Sequence, residues 1–179
     1  MAGFDWFWKA MGGKQGRNQK RSLAIVDQAA ARVAKLNARS DADLVARARE
    51  ITASGEVADA AEFLAILSIA ATRTLEMTPF PVQLQAVLRL LEGDVIQMAT
   101  GEGKTLVGAM ANTGFGLMGK RVHSVTVNDY LAARDAEWMG PLVKFFGLTV
   151  AAVTESMTTD ERRKAYKANI VYAPVNEIG

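Results

Sequence analysis

"MATGEGKTLVGAM", residues 98–110, is the stretch whose reading decides the fold. Two glycines, Gly101 and Gly103, lead into Lys104 and Thr105, and a helix-forming apolar run follows. Glycine tolerates positive φ, so a loop built this way can turn several backbone N–H groups onto one anion. If the loop opens a helix, the helix N-terminus favours the same negative charge. A lysine at this spacing reaches the β- and γ-phosphates, and the adjacent threonine hydroxyl ligates Mg²⁺. "DVIQM" (94–98) reads as a strand before the loop, and 105–117 reads as a helix after it, which is the context the mechanism needs. Met98 departs from the general pattern, where glycine or alanine is usual at the first position. Ala99 and Thr100 complete the loop. Glu102 lies beside where phosphate would sit and would be repelled by it, so it is expected to contribute its backbone only.

Working downstream, the rhythm of the chain is strand, helix, strand. "RVHSVTV" (121–127) is a second strand, and a helix over about 128–146 follows, interrupted near Gly140-Pro141. "LTVAAV" (148–153) is a third strand, a short helix covers Asp160–Lys167, and "NIVYA" (169–173) is a fourth strand. Strands that alternate with helices imply βαβ units and an open parallel sheet. The fold class expected is therefore α/β, a helical N-terminal segment followed by a parallel sheet of P-loop type. No helix follows the last strand, so the sheet is expected to be incomplete at its C-terminal side.

Upstream the pattern is helical. Phe4, Phe7, Trp8 and Met11 fall on one stripe of a short helix that Gly12 and Gly13 should end, and Lys14, Arg17, Lys20 and Arg21 follow. An aromatic stripe beside cations suits an anionic membrane surface, or equally a staple onto the protein's own or a partner's core. Residues 21–37 are helical, Ser40 is an N-cap with Asp43 as a partial capping box, and Gly55 terminates the second helix. A third, buried helix runs from Val57 to Met77 until Pro79 and Pro81 break it. Three regions result: an arm over 1–20, a helical segment over 21–78, and a nucleotide-binding region over 79–179. In "FPVQLQAV" (80–87), Gln83 stands at a helix start shortly before the loop. A carboxamide both donates to and accepts from an adenine edge, a pairing guanine does not satisfy.

Composition narrows the function classes. The chain of 179 residues carries no cysteine, which excludes disulfide frameworks, thiolate metal sites and cysteine nucleophiles. Lys plus Arg and Asp plus Glu nearly balance, at formal net charge +2, against what a nucleic-acid-coating protein needs. No run approaches the roughly 18 apolar residues of a spanning helix, and the basic residues of the arm follow its apolar cluster instead of preceding it, unlike a secretion signal. His123, the single histidine, reads as a packed strand residue. Asp129, Arg134 and Asp135 read as a charged helix face, and Trp138, Phe145 and Phe146 as core.

These residues resemble the SecA family of preprotein translocase motor ATPases. "TGEGKT" resembles that family's phosphate loop, with the methionine at its first position present as Met98. "PFPVQL" resembles its adenine-reading stretch, with Gln83 matching the glutamine and Met77 and Phe80 matching positions that flank the base. "HSVTVNDYLAARDAEWMGPL" (123–142) resembles the most characteristic block, and the likeness covers nearly the whole chain. Ala99 stands where housekeeping members carry arginine, and "YAPVNE" (172–177) replaces a glycine-threonine-asparagine run, departures that look like an accessory, second SecA. The resemblance implies a RecA-like lobe of superfamily 2 helicase type, the cofactors ATP and Mg²⁺, and an N-terminal piece of a longer motor. It implies as partners the SecY channel complex, preproteins and an anionic membrane surface, with a homodimer possible, no nucleic acid, and a cytoplasmic, membrane-peripheral location. The carboxylate pair that orients Mg²⁺ and water, and the second lobe's arginine, are not found in these residues, so no catalytic residue is assigned and the isolated chain is expected to bind MgATP weakly and hydrolyse it negligibly. Two alternatives stay open: a nucleic-acid helicase fragment of the same superfamily, disfavoured by scattered basic residues without an aromatic platform, and a non-catalytic docking fragment.

Overall fold

The computed structural model describes the backbone of residues 3–177 and the side chains of residues 19–177. Seven α-helices and three strands follow one another along the described residues: α1 (Gly3–Leu36), α2 (Asp41–Thr52), α3 (Ala60–Leu75), α4 (Pro81–Leu91), α5 (Lys104–Leu117), β1 (Val122–Thr126), α6 (Asp129–Phe145), β2 (Val150–Ala152), α7 (Thr159–Ala165) and β3 (Ile170–Pro174), closed by a 3₁₀ turn at Val175–Glu177. The strands form an open parallel sheet in the order β1-β3-β2. Central β3 is buried along its whole length, while β1 alternates between half-buried and exposed positions. The α/β architecture expected from the strand–helix alternation is therefore what forms.

The helical layer is built around α3. Of the eleven residues Ala61–Ala71, all but the half-buried Glu62 are buried in the core, which leaves no polar face over that stretch. Asp59 caps the helix by accepting the Glu62 N–H at 3.0 Å. Glu76, in the left-handed region at φ 58°, ends it three residues before Pro79. Ser40 caps α2 as expected, accepting the Asp43 N–H at 3.2 Å. One apolar cluster joins α1, α2 and α3 to α4, α5 and α6, from Val26 through Phe63, Val87 and Met110 to Phe146. The helical segment and the phosphate-loop helix thus share a single core, and that shared core is what fixes the loop's position.

Three expectations are corrected. Gly12 and Gly13 do not end a helix; α1 runs through them, because a glycine costs only about 1 kcal/mol against alanine inside a helix and strong formers follow. The stripe of Phe4, Phe7, Trp8 and Met11 lies outside the described side chains. Residues 94–98 are not a strand. They keep a strand's alternation, with Ile96 and Met98 packed partly on the core while Val95 is 99% exposed, but they pair with none of the three strands, and a strand exists only through its ladder. Finally, α6 is not interrupted at Gly140-Pro141. Met139, Leu142 and Phe146 bury themselves on both sides of the proline, and this packing outweighs the lost hydrogen bond.

Candidate functional site

The loop between residue 98 and α5 has the geometry its glycines foreshadow. Gly101 at φ 86° and Gly103 at φ 80° both sit in the left-handed region, and Gly103 is the N-cap of α5. Lys104 and Thr105 are the first two residues of that helix, so its free N–H groups open beside them. At Gly103 the fit is closer still: a Cβ there would lie 2.4 Å from Gln83 Nε2.

Gln83 is the joint of the site. It is 7% exposed and sits in the first turn of α4. Its Oε1 accepts the Phe80 N–H at 2.9 Å, and its Nε2 donates to the Glu102 carbonyl at 2.8 Å. One side chain therefore ties the 77–83 stretch to the phosphate loop. A carboxamide offers two acceptor and two donor sites, so one of each remains after these two bonds. Glu102, expected to contribute its backbone only, uses its side chain as well: beside the carbonyl bonded by Gln83, its Oε2 accepts the Ala99 N–H at 2.6 Å. The Lys104 ammonium donates to the Ala99 carbonyl at 3.2 Å. Met98 packs partly against the main core and does not line the cavity.

Around these groups lies a cleft of about 860 Å³. It gathers Met77, Thr78, Phe80 and Gln83 from one side, Thr100, Gly101, Gly103, Lys104 and Thr105 from the loop, and Leu131, Arg134, Trp138 and Met139 from α6. Most of the residues singled out from the sequence are thus brought to one cavity. The α6 wall was read as a charged face plus core. Instead Arg134 lines the cleft, and Trp138 is 49% exposed. The signal was present as Leu131, Arg134 and Trp138 at i, i+3 and i+7, one helix face. A smaller recess of about 190 Å³ adjoins it, also reached by Lys104 and Thr105, with Ser124, Thr126, Asp135 and Tyr172 on its other walls. Arg134 holds Asp135 through Nε at 2.9 Å and Nη2 at 2.6 Å. Burial pushes the Tyr172 hydroxyl up to about 12; the neighbouring Asn112 side chain opposes the rise, and the Asp135 charge adds to it. Neither that hydroxyl nor the nearby Asn112 amide nitrogen has a hydrogen-bond partner.

Another cavity, of about 560 Å³, is lined by charged groups over Phe63 and Leu64, and four of these pair with one another: Arg21 with Glu92 at 3.2 Å, and Arg89 with Glu92 at 2.7 Å and with Asp94. Among the described residues no cluster of three His, Asp or Glu side chains could hold a metal. His123 is exposed and meets Tyr166 edge-on at 5.6 Å. Asp129 accepts the Glu155 N–H at 2.9 Å, joining the start of α6 to the loop after β2. Glu177 is not frayed; Arg162 pairs with its carboxylate and the Tyr166 hydroxyl donates to its carbonyl at 3.0 Å.

A family model described as the SecA DEAD-like domain matches residues 7–179. The chain belongs to the SecA family. Its α/β layout is accordingly that of a RecA-like P-loop domain of SecA. A protein translocase subunit SecA 2 from Corynebacterium glutamicum (strain R) is 69% identical over 179 residues, which is all of this chain and 24% of that protein. Subunits named SecA 2 from Corynebacterium jeikeium and Mycolicibacterium smegmatis are 51% and 52% identical, over 98% and 97% of this chain and 24% and 22% of their own lengths. The chain thus spans about a quarter of the SecA relatives it matches. Their names accord with the accessory-type SecA that Ala99 and the 172–177 stretch suggest.

Proposed function

We propose that this chain is the ATP-binding part of a SecA-type motor, which as a complete protein couples ATP hydrolysis to the export of preproteins through the SecY channel. The observation that carries the reading is the joint made by Gln83 between the phosphate loop and the 77–83 stretch, at the mouth of a cleft large enough for a nucleotide. The amides of Gly101 to Lys104 and the Lys104 ammonium take the phosphates, which displace the Glu102 carboxylate from the Ala99 N–H. The Gln83 donor and acceptor left free meet the adenine edge, and Met77 and Phe80 flank the base. Thr105 supplies the hydroxyl for Mg²⁺. With no carboxylate cluster near it, the ion would be shared with phosphate oxygens and water, the usual habit of Mg²⁺. A bound Mg²⁺ offsets phosphate charge.

No Asp-Glu pair follows a run of four apolar residues in the sequence, and on that ground the chain by itself is expected to hold MgATP without turning it over appreciably. No helix among the described residues is long and apolar enough to cross a membrane. Location at the cytoplasmic face, engagement of anionic lipid by the basic arm, and dimerisation in the longer protein complete the proposal. The test is an amide NMR titration with MgATP. The reading requires the signals of Gly101 to Thr105 to move, and Lys104→Ala to abolish the movement. Unmoved signals in a folded sample would overturn it.

A further inference from the structure

The cleft beside the phosphate loop has two walls. The 77–83 stretch and the loop make one; α6 makes the other, with Leu131, Arg134 and Trp138 on a single helix face. Trp138 is the unusual member. Its neighbour Met139 is 1% exposed and anchors α6 in the core, yet Trp138 leaves half its surface open, and that surface borders the cavity. Phe80, which lines the same cleft from the 77–83 stretch, is 68% exposed. Two open aromatic rings facing one cavity are what a flat ligand needs, since cofactor clefts are lined by apolar and aromatic groups with a few polar ones for orientation.

The position of Trp138 along the cleft follows from the adjoining recess. Lys104, Thr105 and Asp135 meet there, so the turn of α6 that carries Asp135 marks the phosphate end. Trp138 lies nearly one turn further along α6. It lines the large cleft and not the recess, as do Met77 and Phe80. We infer that Trp138 is a nucleotide-contacting residue whose indole packs against the base of a nucleotide held by the phosphate loop, opposite Phe80. This rests on the reading of the loop as a nucleotide site. Every base has a π-face, so stacking adds affinity without selecting the base; selection stays with Gln83.

The experiment is calorimetric titration of the chain with MgADP, MgGDP and magnesium tripolyphosphate, comparing the parent with Trp138→Leu, Trp138→Phe and Lys104→Ala, each checked by circular dichroism. Leucine keeps the apolar bulk that borders Met139 and removes the ring; phenylalanine keeps a ring. Trp138→Leu is expected to weaken MgADP by about tenfold, within the range found for loss of a base–aromatic stack. It should weaken any MgGDP binding in proportion and leave tripolyphosphate unchanged, and Trp138→Phe should stay close to the parent. Equal MgADP affinity in Trp138→Leu and the parent, with Lys104→Ala still disabling, overturns the role of Trp138 and leaves the phosphate loop standing. A parallel loss of MgADP and tripolyphosphate in Trp138→Leu also overturns it, as the signature of a disturbed cleft. If Lys104→Ala changes nothing either, the nucleotide site itself falls.

Discussion

Gly103 is where two demands meet in one residue. Its φ of 80° belongs to glycine, and the space above its Cα is filled by the Gln83 amide. Gly103→Ala is therefore expected to cost about 1–2 kcal/mol in strain, and to push Gln83 off the Glu102 carbonyl. Nucleotide affinity should fall by about tenfold or more; calorimetry with MgADP beside a urea melt measures both. Tyr172 poses the opposite case. Its hydroxyl is buried beside Asn112 and makes no hydrogen bond, and an unpaired buried hydroxyl is a cost. Tyr172→Phe should leave the melting temperature unchanged or raise it, and a drop of several degrees would show that the hydroxyl is partnered in solution. At this scale the loop was legible, because Gly-x-Gly-Lys-Thr encodes its own dihedrals and donors. Trp138 was not. Spaced from Phe145 by two helical turns, it looks like one more core aromatic, and periodicity says which face a residue is on but not whether that face meets core or cavity. Phe146 is fully buried; Trp138 is half open.

At the scale of elements, α6 matters because it is the cleft's second wall. Its N-cap is Asn128, whose Oδ1 accepts the Leu131 N–H at 2.9 Å, and Leu131 is itself a lining residue. Asn128→Ala should cost about 1 kcal/mol, the usual worth of an N-cap, and weaken nucleotide binding slightly by loosening that first turn; thermal melts of variant and parent with and without MgADP separate the two effects. Helix α6 also shows where element-level reading failed. Gly140-Pro141 looks like a stop, since local chemistry disfavours helix there. The decision was made by Met139, Leu142 and Phe146, which reach a core assembled from α3 and α5, residues distant in sequence. The stretch 94–98 failed for the converse reason. It was read as a strand from its own residues, but pairing is a property of two segments, and no single segment's pattern reports whether a neighbour is there.

For the whole molecule, the question is how the helical layer holds the phosphate loop in place. The shared core does most of it, and a charged network at the edge of that layer pins α1, α2 and α3 together. Arg47 on α2 grips Glu62 on α3 through Nε at 3.0 Å and Nη2 at 2.7 Å, and Arg32 on α1 reaches Asp59 at 2.5 Å. The Arg47 guanidinium holds the Glu62 carboxyl below the usual carboxylate range, with partial burial opposing it. A carboxyl whose folded pKa is depressed stabilises the fold fully above its unfolded pKa, and that contribution disappears as the pH falls through the folded pKa. The chain should therefore lose stability below about pH 4, where ordinary carboxyls begin to protonate. Asp59 is shifted downward too: burial opposes the shift, and the Arg32 hydrogen bond and the Glu62 N–H outweigh it. The comparison that isolates the pair is Glu62→Gln. In urea unfolding near neutral pH the variant should be the less stable, and the difference should shrink as the pH drops, because protonation makes the parent's Glu62 resemble glutamine. A gap that stays constant from neutral to acid pH would mean that Glu62 acts by shape alone, and that the helical layer is held to the loop by its core without this charged clasp.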